Sequence, residues 1–338
     1  MKAAALTRYL PIDDPQSLLD TELPRPVPGE YDLLVRVHAV SMNPVDTKIR
    51  SPKPRVEAQP KVLGYDAAGV VEAVGTAIVG FRPGDRVYYA GNVTRSGSNA
   101  EYQLVDAQLV GHAPQSIDLA DAAALPLTAL TAWELLFQRM PFDSERGGEG
   151  KSLLVIGGAG GVGSIAIQLA RRAGFAVTAT ASRSETIHWC RMMGAQHVIN
   201  HRQPLAAQLQ ASGIDQVDAV LNLADTDNYW DAVGQLLAPQ GHVGLIVEPT
   251  GALEIGNLYK AKAIGIHWET MFARPHFKTA DQAEQGHILE RVAALIDAGE
   301  LRSTRTETLS PITAANLREA HRRLESGSTI GKLVLAGW

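Results

Sequence analysis

The run "LLVIGGAGGVGSIAIQLA" holds Gly158, Gly160 and Gly163 in a G-x-G-x-x-G spacing. Glycines so spaced allow a tight turn and let the backbone approach a pyrophosphate. A helix starting there offers its first N–H groups and a partial positive charge to the anion. The spacing alone is weak, but its setting is specific: it follows a short apolar run and opens a helix-patterned segment, as a dinucleotide-binding βαβ unit requires. A glycine-rich turn without a ligand is the plain alternative. The next strand ends "TATASRSE", so Ser182 and Arg183 stand where an NAD site carries an acid for the ribose 2′-hydroxyl. A hydroxyl and a guanidinium suit a 2′-phosphate, which an acid would repel. The expected cofactor is therefore NADP(H). Two alternatives stay open: a shifted alignment puts Glu185 at the ribose, and Arg183 is a solvated residue at a helix start.

A second stretch, "KVLGYDAAGVVEAVG", sets Tyr65 and Asp66 in a glycine-flanked turn before an alternating apolar run. A phenol beside a carboxylate can serve as a metal site, an acid/base pair or simply the entrance to a strand. Cys190 is the only cysteine, so neither an internal disulfide nor a thiolate metal cluster is possible. The ten histidines are scattered without HExxH or comparable spacing.

The elements that must position these residues change along the chain. The first ~120 residues read as short alternating runs such as "YDLLVRVHAV" and "AGVVEAV", divided by Pro/Gly punctuation in "PRPVPGE", "SPKPR" and "FRPGDR". This predicts a twisted antiparallel sheet or partial barrel. Leu119 to Met140 reads as mostly helix, and "PFDSERGGEGK" as a loop. From Lys151 strands and helices alternate through "SLLVIGG", "GSIAIQLARRAG", "FAVTATAS", "SETIHWCRMMGA", "HVIN", "VDAVLNLA" and "GHVGLIV", which predicts right-handed crossovers and a parallel sheet. "HILERVAALIDAGE" and "TAANLREAHRRLESG" are amphipathic helices. "GKLVLAGW" is a closing strand expected to pair back into the N-terminal β region. The loops "IRSPKPRVEAQP" and "FARPHFKTADQ" have no derivable conformation.

At 338 residues the chain exceeds the usual single domain. Its 45% hydrophobic and 20% charged residues describe an ordinary globular protein. The net charge of −5 argues against a nucleic-acid or acidic-membrane partner. The start "MKAAALTRYL" reads as too short and too polar for a secretory signal, and no apolar run approaches the ~20 residues that span a bilayer. A cytoplasmic protein is expected.

Together, "GEYDLLVRVHAVSMNPVDTKIR", "LGYDAAGVVEAVG", "FRPGDRV", "LPLTALTAWELLF", "GGAGGVGSIAIQLA" and "GSTIGKLVL" resemble the medium-chain dehydrogenase/reductase superfamily over essentially the whole chain. The likeness is strongest to its zinc-free quinone-oxidoreductase branch. "YYAGNVTRSGSNAEY", "TASRSE", "IHWETMF" and "AHRRLESG" resemble a subgroup labelled zinc-type alcohol dehydrogenase-like. The resemblance implies an α/β protein. A mostly-β GroES-like domain, residues 1–125 with 268–338, would join a Rossmann domain with a doubly wound parallel sheet, residues 126–267.

Zinc alcohol dehydrogenases take Cys, His and Cys as ligands from three of these segments. The matching residues here are Asn43, Tyr65 and Leu127, so the resemblance implies no bound metal. The four-cysteine structural lobe is absent as well. Tyr65 and Asn43 would then lie near the nicotinamide as candidate catalytic residues. Either could donate a hydrogen bond to a carbonyl oxygen as hydride arrives, or Asn43 could instead fix the nicotinamide face. Alternatively, Tyr65 is only an aromatic wall, and Asp66 and Asp46 are structural. Other residues carry over as cofactor contacts. Thr131 matches one at the nicotinamide end, and Gly161 and Val162 would present N–H groups to the pyrophosphate. His201 replaces a frequent tyrosine near the adenosine phosphates. Lys332 matches a lysine that reaches toward the cofactor cleft, with solvent exposure as its alternative. Trp268, Phe272 and Tyr65 would make a flat wall for planar acceptors, unless the first two are plain core.

The expectation is a metal-independent, NADPH-dependent reductase acting on a quinone or α,β-unsaturated carbonyl, with its site in the cleft between the domains. A non-catalytic NADPH-binding sensor or structural protein is the alternative from another class. A zinc-dependent alcohol dehydrogenase fails on its ligands. A polysaccharide lyase would need a basic groove, and none is visible. The resemblance also implies a homodimer, with "GHVGLIVEPTGALEIG" as its edge strand.

Overall fold

Apolar–polar alternation in the first third of the chain is realised as eight strands. The computed structural model, which describes residues 1–338, begins with β1 (Lys2–Tyr9), β2 (Leu19–Glu22), β3 (Asp32–Ser41), α1 (Pro44–Arg50), β4 (Lys53–Val62), β5 (Ala67–Val74), β6 (Arg86–Tyr89), β7 (Tyr102–Asp106) and β8 (Val110–His112). Helices α2 (Leu119–Ala123) and α3 (Pro126–Glu134) follow. The expected long helix is thus divided before Pro126, whose ring cannot continue a preceding helix. It ends in a π-helical turn, Leu135–Arg139.

The middle of the chain runs β9 (Ser152–Ile156), α4 (Gly161–Arg172), β10 (Ala176–Thr180), α5 (Ser184–Met192), β11 (His197–Ile199), α6 (Leu205–Ala211), β12 (Val217–Asn222), α7 (Thr226–Leu236), β13 (Leu237–Leu245) and β14 (Gly265–Trp268). The tail adds α8 (Ala273–Phe277), α9 (Glu284–Asp297), β15 (Arg305–Leu309), α10 (Ala314–Glu325) and β16 (Lys332–Ala336). No helix is long and apolar enough to cross a membrane.

Met1–Leu130 with Phe272–Trp338 makes one compact unit, and Thr131–Met271 another. In the first unit the main sheet runs β15-β16-β3-β5-β6-β8, with β7 also on β3; a smaller sheet runs β2-β1-β4. Strand β16 returns to the N-terminal region as an interior strand, not an edge. It pairs antiparallel with β3, Val334 opposite Ser41, and parallel with β15. Leu33, Val35, Val37, Val87, Leu333 and Leu335 belong to its core. Strand β4 occupies most of the stretch expected to be a loop. Its Pro54 and Pro60 are tolerated because it is an edge strand.

In the second unit six parallel strands run β11-β10-β9-β12-β13-β14, the doubly wound order. Leu154, Ile156, Val220, Val243 and Leu245 fill its core. Such strands, buried on both faces, read as nearly continuous apolar runs. One expectation is corrected. The "GHVGLIV" run is β13, paired with β12 on one side and β14 on the other, so it has no edge to offer. The free edges belong to β11 and β14.

Candidate functional site

Four segments of the first unit converge on Asp66. After β3 the chain passes through Met42 to Asn43, whose extended backbone caps α1. Pro44 takes the first helical position, where a missing N–H leaves no intrahelical bond unmade. The Asp46 carboxylate accepts from the Asn43 N–H at 2.8 Å. The second segment is the turn before β5. Gly64 has φ +112°, and a Cβ there would lie 2.4 Å from Ser98 Oγ, so glycine is required. The turn carries Tyr65 and Asp66 into the interior. Ser98 Oγ holds it by donating to the Asp66 carbonyl at 3.0 Å.

The third segment is the start of α3. The N–H of Leu127, in the first turn where intrahelical acceptors are missing, donates to Asp66 Oδ1 at 2.7 Å. The fourth is Lys332, the first residue of β16 and only 3% exposed. Its ammonium donates to the Met42 carbonyl at 2.8 Å, to Asn43 Oδ1 at 2.5 Å and to Asp66 Oδ2 at 2.9 Å. Asn43 Nδ2 completes the set by donating to Asp66 Oδ2 at 2.7 Å.

Burial pushes the Asp66 carboxyl upward against the opposing pull of Lys332, Asn43 and Leu127. Burial also pushes Asp46 up to about 7, opposed first by the Asn43 N–H and then by Lys332. The Tyr65 hydroxyl has no hydrogen-bond partner within the protein, although the residue is 1% exposed. Burial, and next the charge of Asp46, holds its pKa well above the ordinary phenol range, so it stays protonated at neutral pH. Its ring meets Phe272 edge to face, centroids 5.5 Å apart.

Asn43 and Lys332 differ from their expected roles. The Asn43 amide was expected to offer a hydrogen bond to an acceptor, but both its ends are engaged inside the protein. Lys332 was expected at the cofactor or in solvent, yet its three ammonium protons meet three interior acceptors. Trp268 lies on β14, 45% exposed, and is not core. The resemblance to zinc dehydrogenases calls for a test of zinc at the matching positions. An amide engaged at both ends, a protonated phenol and an aliphatic side chain supply no tetrahedral donor set. Both oxygens of Asp66 already accept hydrogen bonds. No three His, Cys, Asp or Glu residues form a metal-holding group anywhere in the chain. The residues do not fit zinc.

In the second unit the glycine run forms the turn between β9 and α4. Gly160 is the N-cap, and Gly161 and Val162 open the helix, where the first N–H groups lack intrahelical acceptors. A Cβ on Gly163 would lie 2.4 Å from the Gly157 carbonyl oxygen, so the turn folds onto its helix only with glycine there. The Gly157 N–H donates to Thr180 Oγ1 at 3.1 Å, which ties the turn to the end of β10. Trp189 Nε1 donates to Ser164 Oγ at 2.8 Å and ties it to α5. These donors and the positive end of α4 fit a pyrophosphate.

Ser182 and Arg183 follow β10 after Ala181, and Arg183 caps α5. Its guanidinium lies 3.1 Å from Glu185, so the rival candidates for the ribose form a half-exposed pair. His201 lies in the turn after β11, its pKa held down by partial burial and by Arg202. Thr131 is buried in α3. Sequence reasoning missed the Met42 carbonyl and the supports from Thr180 and Trp189. A carbonyl acceptor has no residue type to betray it. The one available signal was a charged residue opening each of two apolar stretches, Asp66 before "AAGVV" and Lys332 before "LVL".

Comparisons with known proteins agree with this architecture. Residues 29–115 match the family model for the alcohol dehydrogenase GroES-like domain, and residues 193–335 match that for zinc-binding dehydrogenase. The chain is 43% identical over 312 residues to a zinc-type alcohol dehydrogenase-like protein of Staphylococcus aureus strain MSSA476, covering 92% of each. A crystal structure from Rhizobium etli CFN 42, described as a candidate zinc-dependent alcohol dehydrogenase, is 50% identical with a TM-score of 0.95, covering 100% of this chain and 98% of that one. Escherichia coli quinone oxidoreductase complexed with NADPH is 25% identical with a TM-score of 0.82, covering 99% and 100%. With a GroES-like β domain, a Rossmann-type parallel sheet and relatives along nearly its whole length, this chain belongs to the medium-chain dehydrogenase/reductase superfamily of oxidoreductases.

Proposed function

We propose that the chain is a metal-independent, NADPH-dependent reductase that delivers hydride to a quinone, an enone or enal, or a similar carbonyl acceptor. The observation that carries this reading is the donor set at the zinc-matching positions. Asn43 and Asp66 are engaged internally, Leu127 is aliphatic, and the Tyr65 hydroxyl has no internal partner. A phenol held protonated suits an acceptor oxygen that gains negative charge. The NADPH complex of the E. coli quinone oxidoreductase supports the same class.

The cofactor, when bound, supplies the hydride. Gly158, Gly160, Gly161, Val162 and Gly163 would hold its pyrophosphate, and Ser182 and Arg183 the 2′-phosphate. Arg183 would exchange its contact with Glu185 for that phosphate. Thr131 and His201 remain proposed contacts. At an enone, hydride adds to the β-carbon and the electron pair moves to the carbonyl oxygen. Tyr65 donates a hydrogen bond to that oxygen, and the enolate is then protonated by the phenol or by water. A homodimer is also proposed. Strand β14 pairs on one side only and exposes Ile266 and Trp268, which suits pairing with a second copy.

The deciding experiment follows NADPH oxidation against quinones, enones, enals and aldehydes, with and without chelator. Turnover of quinones or enones that ignores the chelator is expected, with a lower kcat in Tyr65→Phe. Tight NADPH binding without turnover of any acceptor would sink the reductase reading in favour of a sensor.

A further inference from the structure

We infer that Lys332 is a positioning residue whose ammonium does here what a metal ion would do, binding together the segments that carry Asn43, Tyr65–Asp66 and Leu127. The inference deepens the metal-independent reading and rests on it. The ammonium holds the first segment directly, through the Met42 carbonyl and Asn43 Oδ1. It holds the second through Asp66 Oδ2. Asp66 extends the link to the third, because its other oxygen accepts from the Leu127 N–H. One cation and one carboxylate therefore connect the end of β3, the turn before β5 and the start of α3. The cation enters on β16, whose pairing with β3 brings residue 332 to within hydrogen-bond reach of residue 43.

The donor chemistry is that of an ammonium site. An ammonium brings three protons and needs three acceptors, and three oxygens meet it. Zinc would need lone pairs from about four donors in a tetrahedral set. Charge points the same way. Lys332 and Asp66 neutralise each other in the interior, and a divalent ion added beside the ammonium would leave uncompensated positive charge there. A positioning role follows from the position of Tyr65. It sits between Gly64, whose conformation is constrained, and Asp66, whose carboxylate is anchored at both oxygens. Loosening Asp66 frees the phenol to move.

The test uses the full chain as wild type, Lys332→Met, Asp66→Asn and the double variant Lys332→Met/Asp66→Asn. Melting temperature, zinc content, and kcat and KM with a quinone or enone are measured. Lys332→Met leaves a buried carboxylate unpaired and should lower Tm by roughly 5 °C or more, or prevent folding. The double variant removes both charges and should regain most of that loss. Its kcat should still fall roughly tenfold or more, with the KM for NADPH within about twofold, because the turn that carries Tyr65 is no longer held. Wild-type protein should carry well below one zinc per chain, and a chelator should leave its Tm unchanged.

Three results would overturn the inference: Lys332→Met as stable as wild type, a double variant with wild-type kcat, or one zinc per chain that is lost in Asp66→Asn. If wild type turns over no acceptor, the reductase reading falls while the Tm and zinc measurements still decide the role of Lys332. Turnover with a stable Lys332→Met variant sinks only the role of Lys332.

Discussion

In the second unit the candidate ligand groups are backbone N–H groups from one continuous run, Gly158 to Gly163, in which a side chain at 163 would collide with the turn itself and one at 158 with Ala179 of β10. In the first unit they are side chains from distant segments, with Lys332 bonding Asn43 across 289 residues of chain and Asp66 across 266. The first arrangement is built by one local turn and offers N–H groups at a helix N-terminus, as an anion site requires. The second is a buried charge pair, where each group is tolerable only because the others are present. Substitutions should therefore act locally on binding in one unit and globally on folding in the other.

The largest effect expected is that of Asp66→Asn. It leaves the Lys332 ammonium buried beside a neutral amide, and unfolding in urea should show a loss of about 3–5 kcal/mol. A loss below about 1 kcal/mol would put both units in the same class and break the contrast.

A pH effect comes next, from another buried contact of the first unit. Arg50 closes α1, and its Nε donates to His321 Nδ1 at 3.3 Å. Burial, and then the charge of Arg50, pushes His321 down to about 3 from an ordinary 6.5. Between these values the unfolded chain binds a proton that the folded chain refuses, so stability from this group is full above 6.5 and is lost as pH falls toward 3. The full span corresponds to roughly 5 kcal/mol. Asp46 has the opposite sign. Its folded pKa is raised to about 7, so stability declines as pH rises from the ordinary carboxyl range through 7. The two slopes overlap, and the difference between wild type and His321→Asn should isolate the first. A flat difference from pH 3 to 6.5 would show that His321 is not held neutral.

Smaller effects are expected in the second unit and at Tyr65. Gly163→Ala places a methyl 2.4 Å from the Gly157 oxygen and should weaken NADPH binding roughly tenfold or more by calorimetry. Unchanged affinity would remove the turn from the cofactor site. Arg183→Ala should cut the preference for NADPH over NADH by about tenfold. Its effect on stability should stay within about 0.5 kcal/mol, because its pair with Glu185 is partly exposed. In the first unit, by contrast with its charged neighbours, Tyr65→Phe should shift stability by less than about 0.5 kcal/mol, since the hydroxyl makes no internal hydrogen bond. A larger loss would mean that the hydroxyl has a structural partner after all.

The same contrast governs what could be read in advance. The glycine turn, its flanking strand and helix, and the alternation from β9 to β13 stood in the sequence because local pattern produces them. Strand β4 did not, because its prolines read as loop and only pairing with β1 makes it a strand. The interior place of β13 was equally hidden, since β14 covers its free side from twenty residues further on. At Asp66 the residue types were visible, but their engagement was not. Asn43 and Lys332 were matched to roles facing a ligand, and the fold turns both inward.

By itself the sequence determined the two-part plan, the parallel sheet with its glycine-rich turn, and the absence of zinc-type side chains at the matching positions. These depend on residue identity, spacing and periodicity, which are properties of short stretches. Only the tertiary structure decided that the Lys332 ammonium sits between Asn43 and Asp66 and leaves the Tyr65 hydroxyl as a donor without an internal partner. Hydrogen bonds and charge pairs act over a few ångströms in space, and strand pairing brings residues 43, 66 and 332 within that range whatever their separation along the chain.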